Sequence, residues 1–153
     1  MNGSDGIGTG ADADVEVALA YLEALGGTDP SAVAALVADS FRNEHHAELG
    51  SGCVGRDEYA RRLPGFFATF PNRSYTVHEV ARGTLLDETG NAPGAAGTEV
   101  IVNYRFGADA GDVRLDIPGV MWISVRDGEV TRRLDCWDSL SYHRQTGTTP
   151  STD

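Results

Sequence analysis

Residues 119–147 read GVMWISVRDGEVTRRLDCWDSLSYHRQTG, and the alternation inside them decides the architecture. Asp127-Gly128 has the composition of a two-residue hairpin turn. It joins a strand rich in β-branched and aromatic residues to a second run, Val130 to Trp137, where apolar and charged residues alternate. Arg126 then pairs with Glu129 across the turn, and the rest follows by counting. One face carries Val125 opposite Val130, Ile123 opposite Arg132 and Met121 opposite Leu134. The other carries Ser124 opposite Thr131, Trp122 opposite Arg133 and Val120 opposite Asp135, with Trp137 two residues on. The first face is nearly all apolar. The second gathers two tryptophans and a valine round a charge pair, which describes a ligand cavity: pockets are mainly apolar with a few placed polar groups. On an exposed face the same Arg133 and Asp135 would form a surface ion pair of little energetic worth.

Upstream, the spacing changes from two to three and four. Val15, Ala18, Leu19, Leu22 and Leu25 form one helical stripe with Val17 and Tyr21 on its flank; Asp12 or Asp14 caps it and Gly26-Gly27 ends it. A short helix follows, capped by Thr28 or Asp29, with Pro30 in its first turn and Val33, Leu36 and Val37 inward. FRNEHH (41–46) reads as a strand and ELGSGCVG as a loop. A third helix is predicted from about Arg56 to Phe70. It carries Tyr59, Leu63, Phe66, Phe67 and Phe70 as core and pocket wall, and Pro64 kinks it. Strands are predicted over Tyr75–Leu86, around Val100–Phe106 and over Val113–Val125, the last with a bulge or bend at Pro118-Gly119. SLSYHRQTG closes the chain as a short helix. Helices followed by a mostly antiparallel sheet make an α+β domain, expected over residues 12–147 with unordered tails at 1–11 and 148–153.

Composition narrows the function. At 153 residues, 41% apolar and 23% charged, the chain fits one globular domain with room for a core or a pocket. A net charge of −11 repels phosphate backbones and argues against nucleic acid. All 12 basic residues are Arg, which reads as coding bias, not function. No apolar run reaches the length of a membrane span, and the N-terminus lacks the basic start and apolar stretch of a secretory leader. The expectation is a cytoplasmic protein with no membrane partner, in which Cys53 and Cys136 are free thiols.

Several local signals carry little. His45 and His46 of EHH point to opposite faces of a strand and cannot share an ion, so no metal is expected. GIGTG (6–10) lacks the preceding strand of a phosphate loop. The sequon NRS (72–74) means nothing without secretion. No nucleophile-elbow pattern surrounds any Ser. Cys53 reads as an ordinary loop thiol, and His78 and His143 as surface or boundary residues.

The ordered set GFFATFPN, GVMWISVRDGEVTRRLDCWDSLSYHRQTG, FRNEHH and a Gly-Arg-Asp helix start at 55–57 resembles the SnoaL-like branch of the nuclear-transport-factor-2-like superfamily, over residues 13–147. The resemblance implies a cone: a curved sheet wrapped round the N-terminal helices, an interior pocket, and a homodimer through the sheet's outer face. It also implies roles. Polyketide cyclases and limonene-epoxide hydrolases of this group use an inward Asp on the last strand, which Asp135 matches; Asp138 reads as the N-cap of the final helix. The hydrolases place an Asn two residues after an aromatic to hold a water, matched by Phe41 and Asn43, with His45 next on that face. Their Arg-x-Asp on a middle strand falls on Ile101 and Asn103, so epoxide hydrolysis is not expected. Tyr21 is the candidate for the tyrosine of the ketosteroid isomerases, whose base has no match.

The resulting expectation is a cofactor-free cyclase or isomerase acting on a small apolar carbonyl compound, led by Asp135. Tyr21, Phe41, Asn43, His45, Phe67, Tyr104, Trp122 and Trp137 are its candidate substrate-binding residues. A carboxyl group shut into an apolar pocket suits general acid–base work, and Asp135 would protonate a carbonyl oxygen while a carbon–carbon bond forms. Pairing with Arg133 would instead favour a permanently ionised, structural carboxylate. The competing classes are a non-catalytic ligand-binding or dimerisation module and an isomerase of the ketosteroid type.

Overall fold

Two glycines, a proline and an aspartate punctuate the first third of the chain as their chemistry requires. Helix α1 (Gly8–Leu25) stops where the Gly26 amide bonds back to Leu22 and the Gly27 amide to Ala24. The side chain of Asp29 accepts the Ser31 amide at 2.9 Å and starts α2 (Pro30–Ala34) with Pro30 in its first turn. The computed structural model describes residues 8–91 and 97–148. The expected tails therefore fall mostly outside the described residues, although α1 begins at Gly8, ahead of Asp12.

The remaining elements are β1 (Val37–His45), β2 (Cys53–Val54), α3 (Arg56–Thr69), β3 (Ser74–Gly83), β4 (Thr98–Ala110), β5 (Val113–Arg126), β6 (Glu129–Trp137) and α4 (Ser139–Thr146). The strands form one curved sheet in the order β2-β1-β6-β5-β4-β3, antiparallel except where β1 runs parallel to β6. Val37, expected on a helix, opens β1, and Cys53-Val54, expected in a loop, pairs with Asn43 and Arg42. Pro64 sits inside α3 without ending it. No helix among the described residues is long and apolar enough to cross a membrane.

The hairpin turn is where the sequence places it, with Arg126 opposite Glu129 and Val125 opposite Val130. The next pair is Ser124 with Arg132, so Thr131 is an extra residue in β6. The bulge lies there and not at Pro118-Gly119, where the β4–β5 ladder runs unbroken. One inserted residue moves every later partner by one. Ile123 therefore faces Arg133, Met121 faces Asp135 and Gly119 faces Trp137; Trp122 faces Leu134 and Val120 faces Cys136. Since Val125, Ile123 and Met121 are fully buried, Arg133 and Asp135 look into the protein. The paired partners expected for them, Trp122 and Val120, lie on the outer face.

The concave face packs on α1 and α3 through Val100, Val102, Ile123 and Val125 from the sheet and Tyr21 and Leu25 from α1. Arg73 ties α1 to α3. Its guanidinium donates to the carbonyls of Leu25 (3.0 Å) and Gly27 (2.7 Å) after α1, and of Phe67 (3.0 Å) and Phe70 (2.7 Å) at the end of α3. It also lies 3.5 Å from the Phe67 ring centroid. Two helix C-termini, each with unpaired carbonyls and a negative dipole end, thus share one buried cation.

Candidate functional site

A cavity of about 600 Å3 lies between the concave face, α3 and α4. Its buried end is polar. Asn43 and His45 reach it from β1, Arg133 and Asp135 from β6, Tyr104 from β4 and Tyr59 from α3. Its walls are aromatic, with Phe66 and Phe70 of α3, Phe106 of β4, Trp137 of β6 and Tyr142 of α4. Exposed Leu49, Ser51 and Thr148 mark the mouth, where Arg62 and His143 also stand.

Asp135 is 2% exposed and has both carboxylate oxygens engaged. Oδ1 accepts the Tyr104 hydroxyl at 2.6 Å and Oδ2 accepts an Arg133 guanidinium nitrogen at 2.5 Å. Each oxygen keeps a second lone pair. The Arg133 pairing considered from the sequence therefore exists, but in the interior rather than on the surface. Burial, helped by the Asp135 carboxylate, pushes the Tyr104 hydroxyl far above the usual phenol range, so it stays a donor. Burial does the same to Tyr75 beside it. Tyr104 fits only because residue 119 is glycine: a Cβ there would sit 2.6 Å from the Tyr104 ring carbon and hydroxyl.

Two buried atoms in this polar end have no hydrogen-bond partner among the described residues, the Arg133 Nε and the Asn43 Oδ1. They belong to residues directly paired across β1 and β6. Such atoms call for a water or a ligand group. His45, paired with Asp135, accepts the Trp137 indole N–H on Nδ1 at 3.4 Å. Burial, with the Arg133 cation adding to it, pushes the His45 imidazole down to about 4. His46 lies outside the cavity and donates its backbone N–H to the Asp135 carbonyl.

Of the residues singled out from the sequence, Asp135, Asn43, His45, Tyr104 and Trp137 line the cavity. Four do not. Tyr21 and Phe41 stand behind its wall: Tyr21 shares a 2.5 Å hydroxyl contact with Tyr59, and the Phe41 ring packs 4.6 Å from the Tyr59 ring. Phe67 lies under Arg73. Trp122 is on the outer face, its indole donating to Glu99 at 2.7 Å. Ile101 and Asn103 also face outward. The inward residues of β4, Val100, Val102, Tyr104 and Phe106, contain neither Arg nor Asp. Tyr59, Phe66 and Phe70, read from the sequence as core stripe and pocket wall, also line the cavity, and sequence reasoning missed Phe106 and Tyr142. Phe106 was accessible from its two-residue spacing to Tyr104. Nothing in the sequence tells which side of α4 turns inward.

Asp138 caps α4 by accepting the Ser141 amide at 3.1 Å, as its position at the strand–helix junction requires.

Comparison with known proteins agrees with this geometry. No curated protein matches the chain. A Catenulispora acidiphila protein with a ketosteroid isomerase-like fold, solved with trimethylamine, superposes with a TM-score of 0.70 at 20% identity, covering 88% of this chain and 94% of the other. An M. tuberculosis LEH-like epoxide hydrolase gives 0.68 at 19% identity, covering 89% and 90%. A putative SnoaL-like polyketide cyclase from Jannaschia sp. CCS1 gives 0.69 at 17% identity, covering 98% and 100%. At these identities the likeness is one of fold. The family described as SnoaL-like domain matches residues 18–133, most of the chain, and the protein therefore belongs to the SnoaL-like family, with the cone-shaped α+β fold of the nuclear-transport-factor-2-like superfamily.

Proposed function

We propose that the cavity is the active site of a cofactor-free acid–base enzyme of the cyclase or isomerase type, acting on a small, largely apolar carbonyl compound. The observation that carries this reading is one carboxyl group, Asp135, held by Tyr104 and Arg133 at the buried end of an aromatic cavity. Because the family match ends at Arg133, the role of Asp135 rests on that geometry. The ion pair changes the order of events expected from the sequence. Asp135 starts as the base, and becomes an acid only after it has taken a proton.

In this mechanism a spare lone pair of Asp135 removes a proton from the carbon next to the substrate carbonyl. The C–H bond breaks and its electron pair moves onto the carbonyl oxygen as an enolate. In an isomerase, Asp135 returns the proton to a different carbon. In a cyclase, the enolate carbon attacks a second carbonyl of the same molecule, and Asp135 returns the proton to the new alkoxide. No step needs a metal or an organic cofactor. Such positioned proton transfer contributes about 10²–10⁴-fold in rate. The cavity volume is within the range of roughly 300–1,000 Å3 that encloses a drug-sized ligand. An Arg–Asp relay supplied from β4 has no counterpart, which disfavours epoxide hydrolysis.

The test is exchange of the α-protons of fused-ring ketones such as 2-tetralone in D2O, followed by proton NMR. The wild-type protein should accelerate exchange over buffer, and Asp135→Asn should lose that acceleration by about 10²–10⁴-fold. Ketone binding without exchange would leave a ligand-binding module. An unchanged Asp135→Asn would remove the carboxylate from the mechanism.

We further propose a homodimer through the outer face, where Ile101 and Val120 on neighbouring strands are 37% and 44% exposed. Sedimentation of the wild-type protein and Ile101→Arg checks it: a monomeric wild type ends the idea. The free thiols Cys53 and Cys136 fit a reducing cytoplasm.

A further inference from the structure

Asp135 supplies a base but leaves open what receives the charge that forms on the substrate oxygen. Tyr104 and one arm of Arg133 are already spent on Asp135 itself. His45 is free to act and is held in place on two sides. On one side the Trp137 indole nitrogen lies 3.4 Å from Nδ1. An indole N–H can only donate, so Nδ1 must be the accepting, unprotonated nitrogen, and the single proton of the neutral ring sits on Nε2. On the other side the loop after β1 folds directly over the side chain. A Cβ at Gly50 would lie 2.2 Å from the His45 Cβ and 2.7 Å from its Cγ, so only glycine fits. The Gly50 amide is tied back to the Ala47 carbonyl at 2.9 Å. The ring can neither swing away nor turn over without losing the indole bond.

We propose that His45 is the oxyanion donor of this cavity: with Nδ1 occupied by Trp137, it presents Nε2–H to the carbonyl oxygen of a ligand whose reacting carbon lies against Asp135. The inference rests on the acid–base reading above and adds a second reacting group to it. Nε2 has no hydrogen-bond partner among the described residues, and His45 lines the cavity as the direct strand neighbour of Asp135. The charged and titratable groups that line the cavity with it are Arg133 and Asp135 on β6, Arg62 and Tyr59 on α3, Tyr75 on β3, Tyr104 on β4, and Tyr142 and His143 on α4. Burial and Arg133 disfavour a second proton on the ring and Asp135 favours one; the first two prevail. A neutral imidazole N–H stabilises an enolate without transferring its proton, so the oxygen is not trapped as a stable enol and the proton returns from Asp135.

The experiment reads the ring directly, on the ligand-free protein. Long-range proton–nitrogen NMR of nitrogen-15-labelled protein at pH 7 should give His45 an unprotonated Nδ1 and a protonated Nε2, the resonances being assigned by their loss in His45→Gln. Trp137→Phe should release a mixture of the two tautomers. A second arm uses 2-naphthol and naphthalene as binding probes that differ by one oxygen. The preference for 2-naphthol should fall about tenfold or more in His45→Leu. It should largely survive in His45→Gln, whose amide N–H reaches as far as Nε2. An Nδ1–H tautomer, an imidazolium at pH 7, or an unchanged 2-naphthol preference in His45→Leu would overturn the proposal. Failure of the base reading appears elsewhere, in the ketone exchange of Asp135→Asn, so the two outcomes are separable.

Discussion

An alanine Cβ at position 119 would lie 2.6 Å from Cζ and from the hydroxyl oxygen of Tyr104, and 3.0 Å from Cε1. Those are contacts with a ring whose hydroxyl is spent on Asp135, so the ring cannot give way and keep its bond. Gly119→Ala should therefore displace Tyr104, break the 2.6 Å hydrogen bond to Asp135 and destabilise the protein by about 1–3 kcal/mol, as overpacking does. Removing the ring as well, in Gly119→Ala with Tyr104→Leu, should relieve the clash. The two changes should then be non-additive in urea unfolding, with the double variant more stable than the sum of the singles predicts. Strict additivity would mean that the glycine serves some other purpose. Arg133 shows the same economy at the residue scale. It pairs with Asp135 through one nitrogen, while its Nε stays unpartnered beside the cavity. Breaking the pair would be severe, because a buried charge left alone costs far more than the pair contributes.

Among the elements, Arg73 is the point at which α1, α3 and β3 are made into one unit. It replaces four separate caps with one guanidinium, whose planar fork can reach four carbonyls at once. Lysine has a single ammonium and cannot span them. Arg73→Lys should cost about 3 kcal/mol of unfolding free energy through carbonyls left unpaired, and its earliest sign should be faster amide exchange in the last turns of α1 and α3. Exchange that rises uniformly across the sheet would refute the capping role. None of this is legible in the sequence, where Arg73 follows Pro71-Asn72 and looks like a loop residue. What is legible follows one strand or one helix at a time. Alternation within β6 puts Arg133, Asp135 and Trp137 on one side, and the stripe Tyr59, Leu63, Phe66 and Phe70 shares a face of α3. What crosses between strands is not legible once a bulge intervenes. Thr131 sits in an unbroken polar run, yet inserting it exchanges the partner of Asp135 from Val120 to Met121 and sends Trp122 outside. The parallel contact of β1 with β6, which brings Asn43 and His45 beside Arg133 and Asp135, leaves no local mark either, because the paired segments are far apart in the chain.

At the scale of the whole molecule, the cone carries a buried ion pair and a histidine kept from protonating, both of which work against stability. The second of these makes the fold sensitive to acid in a calculable way. His45 is pushed down to about 4 in the folded protein, against an ordinary value of 6.5. Between those limits the unfolded chain binds a proton that the folded one refuses. Stability therefore rises with pH across the window, is complete above about pH 6.5, and is lost as pH falls toward 4. For a shift of this size the loss is about 2–3 kcal/mol between pH 7.5 and 4.5. Asp29, Asp116 and Asp138 are held below the usual carboxylate range by their hydrogen bonds, and their own losses begin in the lower part of that window. A wild-type curve alone would mix these contributions. His45→Gln separates them: it keeps the carboxylates and removes only the imidazole. Urea unfolding of both proteins at stepped pH should give two curves with a constant offset above pH 7. Below that, the wild type should lose stability faster, and the offset should change in favour of the variant by about 2–3 kcal/mol. Parallel curves would mean that the ring takes up its proton freely in the folded state. In that case Trp137 and Gly50 would merely pack against an ordinary histidine, and the cavity would lack its neutral donor.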